Sequence, residues 1–411
     1  MSVQLPTCDA DARYVTEFVR RWFSDAPAGE LPATLTALVH HELSRTEELT
    51  MPLRDQWGNW EWPFGRSARE GTLYRPFVDE RLLAWRDAHA PALRRTPWPD
   101  ERPFALCLTH DVDFVSRRAS TLGVVAERAR RLARVSSGER GLAARLLARE
   151  LARLALAPLL RALGTDEYHN FDAWMALEAE HGFTSTFFFF AEHLAAVHAE
   201  DACYGYAQSI RFEGEAITVA ELMRRMRARG WEIGLHASIA AATDADALIA
   251  ERAQLERAVG AEVTAVRHHY LAYDAAVTPS VHDRARMRAD STMGYNRNVG
   301  FRAGTSFPFR CWDHHAGRAA RVVEVPLLLH DVALFAVHGL ECDETLGRAY
   351  IVTVMDAVER VGGCLTVNWH PSWWPDERFA GSYRFLLEEA RRRGAWGGSM
   401  DALARHVGDE R

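Results

Sequence analysis

Several short apolar runs in this 411-residue chain end on side chains able to move protons or bind metal ions. The first, F-A-L-C-L-T-H-D-V-D-F, delivers Thr109, His110, Asp111 and Asp113. Two carboxylates two residues apart at the end of an apolar strand suit a division of labour, one binding a metal and the other handling a proton. Aspartates in that place also cap a following helix. A second run, W-E-I-G-L-H-A-S, ends on His236; a third, V-R-H-H-Y, ends on Arg267, His268, His269 and Tyr270; the last, C-L-T-V-N-W-H-P, ends on Asn368 and His370. If these runs are parallel neighbouring strands, their acids, imidazoles and guanidinium converge, because functional groups in such folds gather at C-terminal strand ends.

The surrounding pattern supplies such strands. From Phe104 onward, short apolar runs alternate with amphipathic ones. Strands are expected at Phe104–Thr109, Thr184–Phe190, Trp231–His236, Ala265–Tyr270, Val322–Leu329 and Cys364–Trp369, and helices at Phe171–His181, Val219–Arg229, Ala245–Val259, Leu346–Val361 and Tyr383–Arg393. The alternation implies an α/β fold of parallel βα units, closed as a barrel or doubly wound. Residues 1–100 read as an N-terminal accessory unit with helices near Tyr14–Trp22, Leu31–Leu43 and Pro76–Asp87. Pro97 and Pro99 mark a linker, since prolines at this density break helix and sheet alike. The aromatic stretch Trp57, Trp60, Trp62 and Phe64 either stacks on sugar rings or packs as a hairpin on its neighbour.

Composition narrows the chemistry. All 49 residues counted as Lys+Arg are arginine, which excludes a Schiff-base lysine enzyme, a P-loop and a protein kinase. A net charge of −7 argues against a nucleic-acid partner for the protein as a whole. The six cysteines are scattered without a C-x-x-C pair, so no zinc ribbon, redox motif or disulfide framework is expected. No secretion-signal pattern and no long uncharged apolar run are present, and a cytoplasmic location is expected. Between positions 115 and 164, eleven arginines stand against three glutamates, and Leu142, Leu146, Leu147, Leu151, Leu154 and Leu160 recur at helical spacing. This Arg-rich helical insertion suits peripheral contact with an anionic membrane or docking on the protein's own acidic surface.

With these motifs in this order, the stretch from Phe104 to near Val407 resembles the polysaccharide deacetylases of carbohydrate esterase family four. That resemblance implies a distorted (β/α) barrel and a metal-dependent hydrolase, with zinc the expected divalent ion, removing an N-acetyl or related acyl group from an amino sugar or glycan precursor. It implies Asp111 as general base, Asp113 and His236 as metal ligands, Arg267 as partner of the base and His370 as general acid. The family's second motif places another His four residues after the first, where this chain has Ala240; His269 is the candidate replacement, completing a set of one carboxylate and two imidazoles. In the glycan-assembly subgroup, wording similar to D-S-T-M-G-Y-N-R-N-V-G-F-R-A-G-T follows the third motif. Tyr270, Asp290, Tyr295, Arg302 and Thr305 are therefore expected to form the substrate cleft, with Arg302 a fork for a carboxylate or phosphate. His330, in L-L-L-H-D, stands as a rival to His370. The competing readings are a catalytically inactive glycan-binding or scaffold protein, and a metal-dependent hydrolase of a non-sugar amide.

Overall fold

The computed structural model describes residues 9–24, 31–51, 53–116, 166–192, 201–202 and 204–407, with isolated helical positions between 125 and 159. The Arg-rich stretch lies largely outside the described residues, all of its arginines except Arg140 included.

In chain order the strands are β1 (Phe23–Ser24), β2 (Arg94–Arg95), β3 (Ala105–Val112), β4 (Thr186–Phe190), β5 (Ser209–Phe212), β6 (Glu215–Thr218), β7 (Glu232–Ala237), β8 (Ala265–His268), β9 (Ala289–Asp290), β10 (Phe309–Asp313), β11 (Arg318–Glu324), β12 (Leu329–His330), β13 (Cys364–Asn368) and β14 (Trp396–Gly397). Every residue of β3, β4 and β13 is buried, as continuous apolar runs require when both sheet faces are covered. The main sheet runs β10-β11-β9-β8-β7-β4-β3-β13-β12, with β14 beside β3. Its pairings are parallel except for the β10–β11 hairpin.

The sheet is curled. Three strand spacings separate β8 from β3, about 14 Å in a flat sheet, yet the Arg267 guanidinium on β8 reaches Thr109 and Asp111 on β3 at 2.7 and 3.0 Å. It does so by passing 4.7 Å over the ring of Phe188 on the intervening β4. The strand path has two ends, β10 and β12, that do not pair with each other among the described residues. The architecture is thus a mixed α/β half-barrel in place of the closed ring.

Expected and observed elements agree for most βα units, with differences that have local causes. The single strand expected over Val322–Leu329 is two: β11 stops at Glu324 and β12 starts at Leu329. Pro326 between them has no N–H to give a sheet ladder. The last long helix starts earlier than expected, at Glu377, where the Asp376 side chain accepts from Arg378 N and caps it.

The N-terminal residues pack under the sheet. Trp22, Phe77, Val78, Leu82 and Trp98 share one apolar cluster with Cys107, Phe188, Ala265, Phe307 and Met400. Trp98, between the two linker prolines, is buried and donates its indole N–H to Gly362 O at 2.9 Å, so this segment is anchored along its length. Helix Phe77–His89 fits against a loop at Gly304, where φ is +66° and a Cβ would lie 2.6 Å from the Phe77 ring; only glycine meets both conditions.

Candidate active site

Alternation along each strand decides which residues face the inside of the curl. On β3, Thr109 and Asp111 point to Arg267, whereas His110 points the other way and bridges Trp369 O and Glu178 at 2.6 Å each. At the end of β8, Arg267 and His269 face the site while His268 turns behind it to meet His282 at 2.9 Å. Register sets the heights: His236 lies level with Arg267 and Thr109 level with Asn368.

Asp111 is buried and held from three sides. Arg267 Nη1 donates to Oδ1 at 3.0 Å, Asn368 Nδ2 donates to Oδ2 at 2.7 Å, and the Asp111 N–H donates to Asn368 Oδ1 at 3.2 Å. Burial pushes this carboxyl up, but Arg267, His236 and His370 outweigh it and hold it well below the usual carboxylate range. Arg267 is itself fixed by Ser291 O, Ser291 Oγ and Thr109 Oγ1. Asp111 is therefore an ionised, oriented acceptor.

Asp113, His236 and His269 come together as a group whose ligand atoms lie within 4.8 Å of one another. Asp113 Oδ1 is 3.2 Å from His236 Nε2 and 3.9 Å from His269 Nε2. Both rings are oriented through their other nitrogen: His236 Nδ1–H donates to Arg267 O at 2.9 Å, and His269 Nδ1–H donates to Asp201 Oδ1 at 3.1 Å. That leaves both Nε2 atoms turned towards Asp113. Burial pushes His236 down, yet Asp111 and Asp113 raise it above 6.5; the carboxylates favour a positive charge at this spot, whether a proton or a metal ion. Ala240 lies in a short 3-10 turn after β7, and its methyl offers no ligand atom.

His370 follows β13. Its Nδ1–H donates to Asp331 Oδ1 and its backbone N–H to Asp331 Oδ2, both at 2.7 Å, and its Nε2 lies 3.6 Å from Asp113 and 4.0 Å from Asp111. Burial lowers the imidazole, but Asp331 and the other two aspartates together lift it to about 10. His330 packs beside it with ring centroids 5.2 Å apart, and burial next to the His370 charge pushes it down to about 4. His370 is the charged imidazole of the pair.

The residues expected to form the cleft divide. Tyr270 follows His269 with φ +52°, its ring stacked 4.2 Å from Trp57, which lies in a short N-terminal hairpin closed by the antiparallel bridge between Arg54 and Trp60; its carbonyl accepts from Asn59 and Asn296. Tyr295 is buried in a small cluster with Trp60 and Leu73. The other three are not brought to the cluster. Asp290 is fully buried behind β8 against Thr292 and His282. Thr305 donates to Asp79 and so ties helix Phe77–His89 to the loop between β9 and β10. Arg302 is no open fork, because Nε and Nη2 already grip Glu48 at 2.9 and 2.8 Å.

Residue-by-residue reading passed over Asn368 as a holder of Asp111, Asp331 as a holder of His370, and Asp201. Asp331 stands next to a histidine at a strand end, and the parallel register His330↔Asn368 would have pointed to it. Asp201 has no sequence signal.

Fold and cluster together define a curled parallel α/β protein with an acid–imidazole site at the C-terminal mouth of its strands. No family model matches the chain, and no curated protein matches it. Among solved structures it is similar to a provisionally assigned polysaccharide deacetylase from Mycobacterium smegmatis, with 18% identity, TM-score 0.47, and 76% of this chain and 92% of that one covered. It is also similar to Puue allantoinase, with 13% identity, TM-score 0.42 and 75% and 91% covered. A third is a provisionally assigned polysaccharide deacetylase from Pseudomonas aeruginosa PAO1, with 13% identity, TM-score 0.44 and 75% and 92% covered.

Proposed function

We propose that the protein is a metal-dependent hydrolase that removes an N-acetyl or related acyl group from an amino sugar or glycan precursor. One observation supports this above all: an Arg-paired buried carboxylate, a carboxylate with two imidazoles, and an Asp-held imidazole converge at the strand ends.

The donors suit a divalent ion. Asp113 Oδ1 is buried without a hydrogen-bond partner, and one oxygen with two neutral Nε2 donors leaves positions for water and substrate, as a catalytic zinc site does. Asp113, His236 and His269 would hold the ion, which would polarise the acyl carbonyl and make a bound water acidic.

The chain's own groups do the rest. Asp111, kept ionised by Arg267 and aimed by Asn368, takes the proton of the attacking water. His370 presents Nε2–H to the departing nitrogen, so that an amine leaves in place of an amide anion. Asp331 keeps that ring in one orientation and favours its protonated form.

The test is acetate release from acetylated nucleotide sugars and lipid-linked amino sugars with zinc, cobalt or manganese added, beside metal analysis of the purified protein. Asp113→Ala and His269→Ala should each lose bound metal and acetate release together. Native protein without stoichiometric metal, whose acetate release neither change affects, sinks the hydrolase reading and leaves the binding-protein alternative.

A further inference from the structure

The Arg-rich segment leaves and re-enters the fold at the mouth of the strand-end site. Ser116, three residues past Asp113, donates its hydroxyl to Asp166 Oδ2 at 2.9 Å, so the two ends of residues 117–165 are fastened together beside the acid–imidazole cluster. The N-terminal hairpin borders the same mouth from the β8 side. Trp57 is stacked on Tyr270, and the Asn59 amide bonds both Tyr270 O and Tyr273 N.

These two segments carry most of the large apolar side chains that the fold leaves uncovered. Of the nine exposed among the described residues, six are theirs: Leu49, Leu53 and Phe64 in or next to the hairpin, and Leu151, Leu156 and Leu159 in the insertion. Single exposed leucines are ordinary, but a concentration of them marks a surface that makes contact with something. Leu151, Leu156 and Leu159 are 47, 50 and 56% exposed, and none of the insertion's described leucines joins an apolar cluster of the described residues. Docking of the insertion on the protein's own surface would cover them.

We propose that this mouth is a docking face for an anionic phospholipid membrane, and that the acyl group to be cleaved is presented there on a lipid-linked amino sugar. The membrane contact stands on the surface alone; the substrate half rests on the hydrolase reading above. Charge decides the occupant. The insertion sets eleven arginines against three glutamates in a chain of net charge −7. Arginines hold anionic headgroups while leucines enter the boundary with the acyl chains. The hairpin brings apolar side chains and no net charge, since Arg54, Arg66 and Arg69 are matched by Asp55, Glu61 and Glu70. Arg297 adds an exposed guanidinium over the Trp57 ring. No helix among the described residues is long and apolar enough to cross a membrane, and the contact proposed is a peripheral one.

Sedimentation of the full chain with vesicles of equimolar phosphatidylglycerol and phosphatidylcholine, beside vesicles of phosphatidylcholine alone, tests the face. The mixed vesicles should take up the protein at least about tenfold more strongly, and ~0.5 M salt should remove most of the difference. Arg145→Gln, Arg149→Gln and Arg153→Gln combined should weaken that uptake about 100-fold, at about fivefold per charge. Leu151→Ser with Leu156→Ser should weaken it about tenfold. The Gln changes keep every leucine, so a folding defect in the Ser protein leaves the test standing. Neither set should alter acetate release from a water-soluble acetylated sugar, and both should reduce release from a lipid-linked one in mixed vesicles. Equal uptake by the two vesicles, or uptake untouched by either set, overturns the docking face. No uptake, with a lower melting temperature for the Gln protein, also overturns it and assigns the insertion to the protein's own acidic surface. Expected uptake with unchanged release from the lipid-linked sugar overturns the substrate half. Acetate release from soluble sugars without vesicle uptake rejects the face and keeps the hydrolase. Expected uptake with no acetate from any substrate does the reverse.

Discussion

Asp201 Oδ1 accepts from His269 Nδ1–H at 3.1 Å, and that bond turns the opposite nitrogen of His269 towards Asp113. A carboxylate behind a metal-binding imidazole fixes its tautomer and raises its basicity. His269, which we propose as the ligand in place of a histidine at Ala240, is thereby given its orientation by a residue 68 positions earlier in the chain. Asp201→Asn should weaken zinc binding by about 10- to 100-fold, measured by competition with a chelating dye. An unchanged affinity would show that His269 is not a ligand held from behind.

In the proposed mechanism the acid side of the site rests on one pair, Asp331 and His370. Asp331→Asn keeps the shape and an acceptor for the ring but removes the charge that favours the imidazolium. The expected result is a fall in kcat of at least about tenfold with little change in KM, and His370→Gln should cost about 10²- to 10⁴-fold. Steady-state kinetics on the best acetylated substrate gives both values. A change in KM alone would assign the pair to binding.

Glu48 joins the N-terminal helices to the loop between β9 and β10, held between two buried guanidiniums, Arg45 and Arg302, at 2.9 and 2.8 Å. Removing its charge leaves both cations short of compensation, so Glu48→Gln should destabilise the fold by about 3–5 kcal/mol. Burial pushes Glu48 up, but Arg302 and Arg45 bring it down to about 2. Because its folded value is depressed, its stabilisation is fully present above about pH 4.5 and lost as pH falls through about 2. Urea unfolding midpoints of the native and Gln proteins between pH 3 and 7 check both statements, and the difference between them should shrink on the acid side.

Asp79 has the opposite sign. Burial raises its carboxyl to about 7, against the opposing hydrogen bonds from Ser306 and Thr305. A folded value above the unfolded one means that the contribution is complete below about pH 3.8 and disappears as pH rises through about 7, on the order of 4 kcal/mol in all. Asp79→Asn should flatten the dependence of stability on pH between about 4 and 7. Thermal melts across that window measure it, and an unchanged slope would mean that Asp79 stays ionised in the fold.

Much of this arrangement is legible in the sequence. Apolar runs such as A-L-C-L and F-F-F-F are long enough for strands and too uniform for an exposed sheet, and the helices between them make the connections parallel. Once the strands are parallel, their C-terminal residues must share one mouth, which places Asp111, Asp113, His236, Arg267 and His370 together before any coordinates are known. Period-two alternation also separates Arg267 and His269 from His268. What the sequence leaves open is which charges neutralise one another across long chain separations. Arg302 reads as an open fork until Glu48, 254 positions earlier, is seen to occupy it. Asp201 carries no local pattern that marks it as the holder of His269, and Asp331, although it follows a histidine at a strand end, is set beside His370 only by the pairing of β12 with β13. Local propensity and periodicity follow from neighbours along the chain, so they can be read there; the pairing of buried charges depends on how far the sheet curls and where the N-terminal hairpin lands, and only the packed tertiary structure sets those distances.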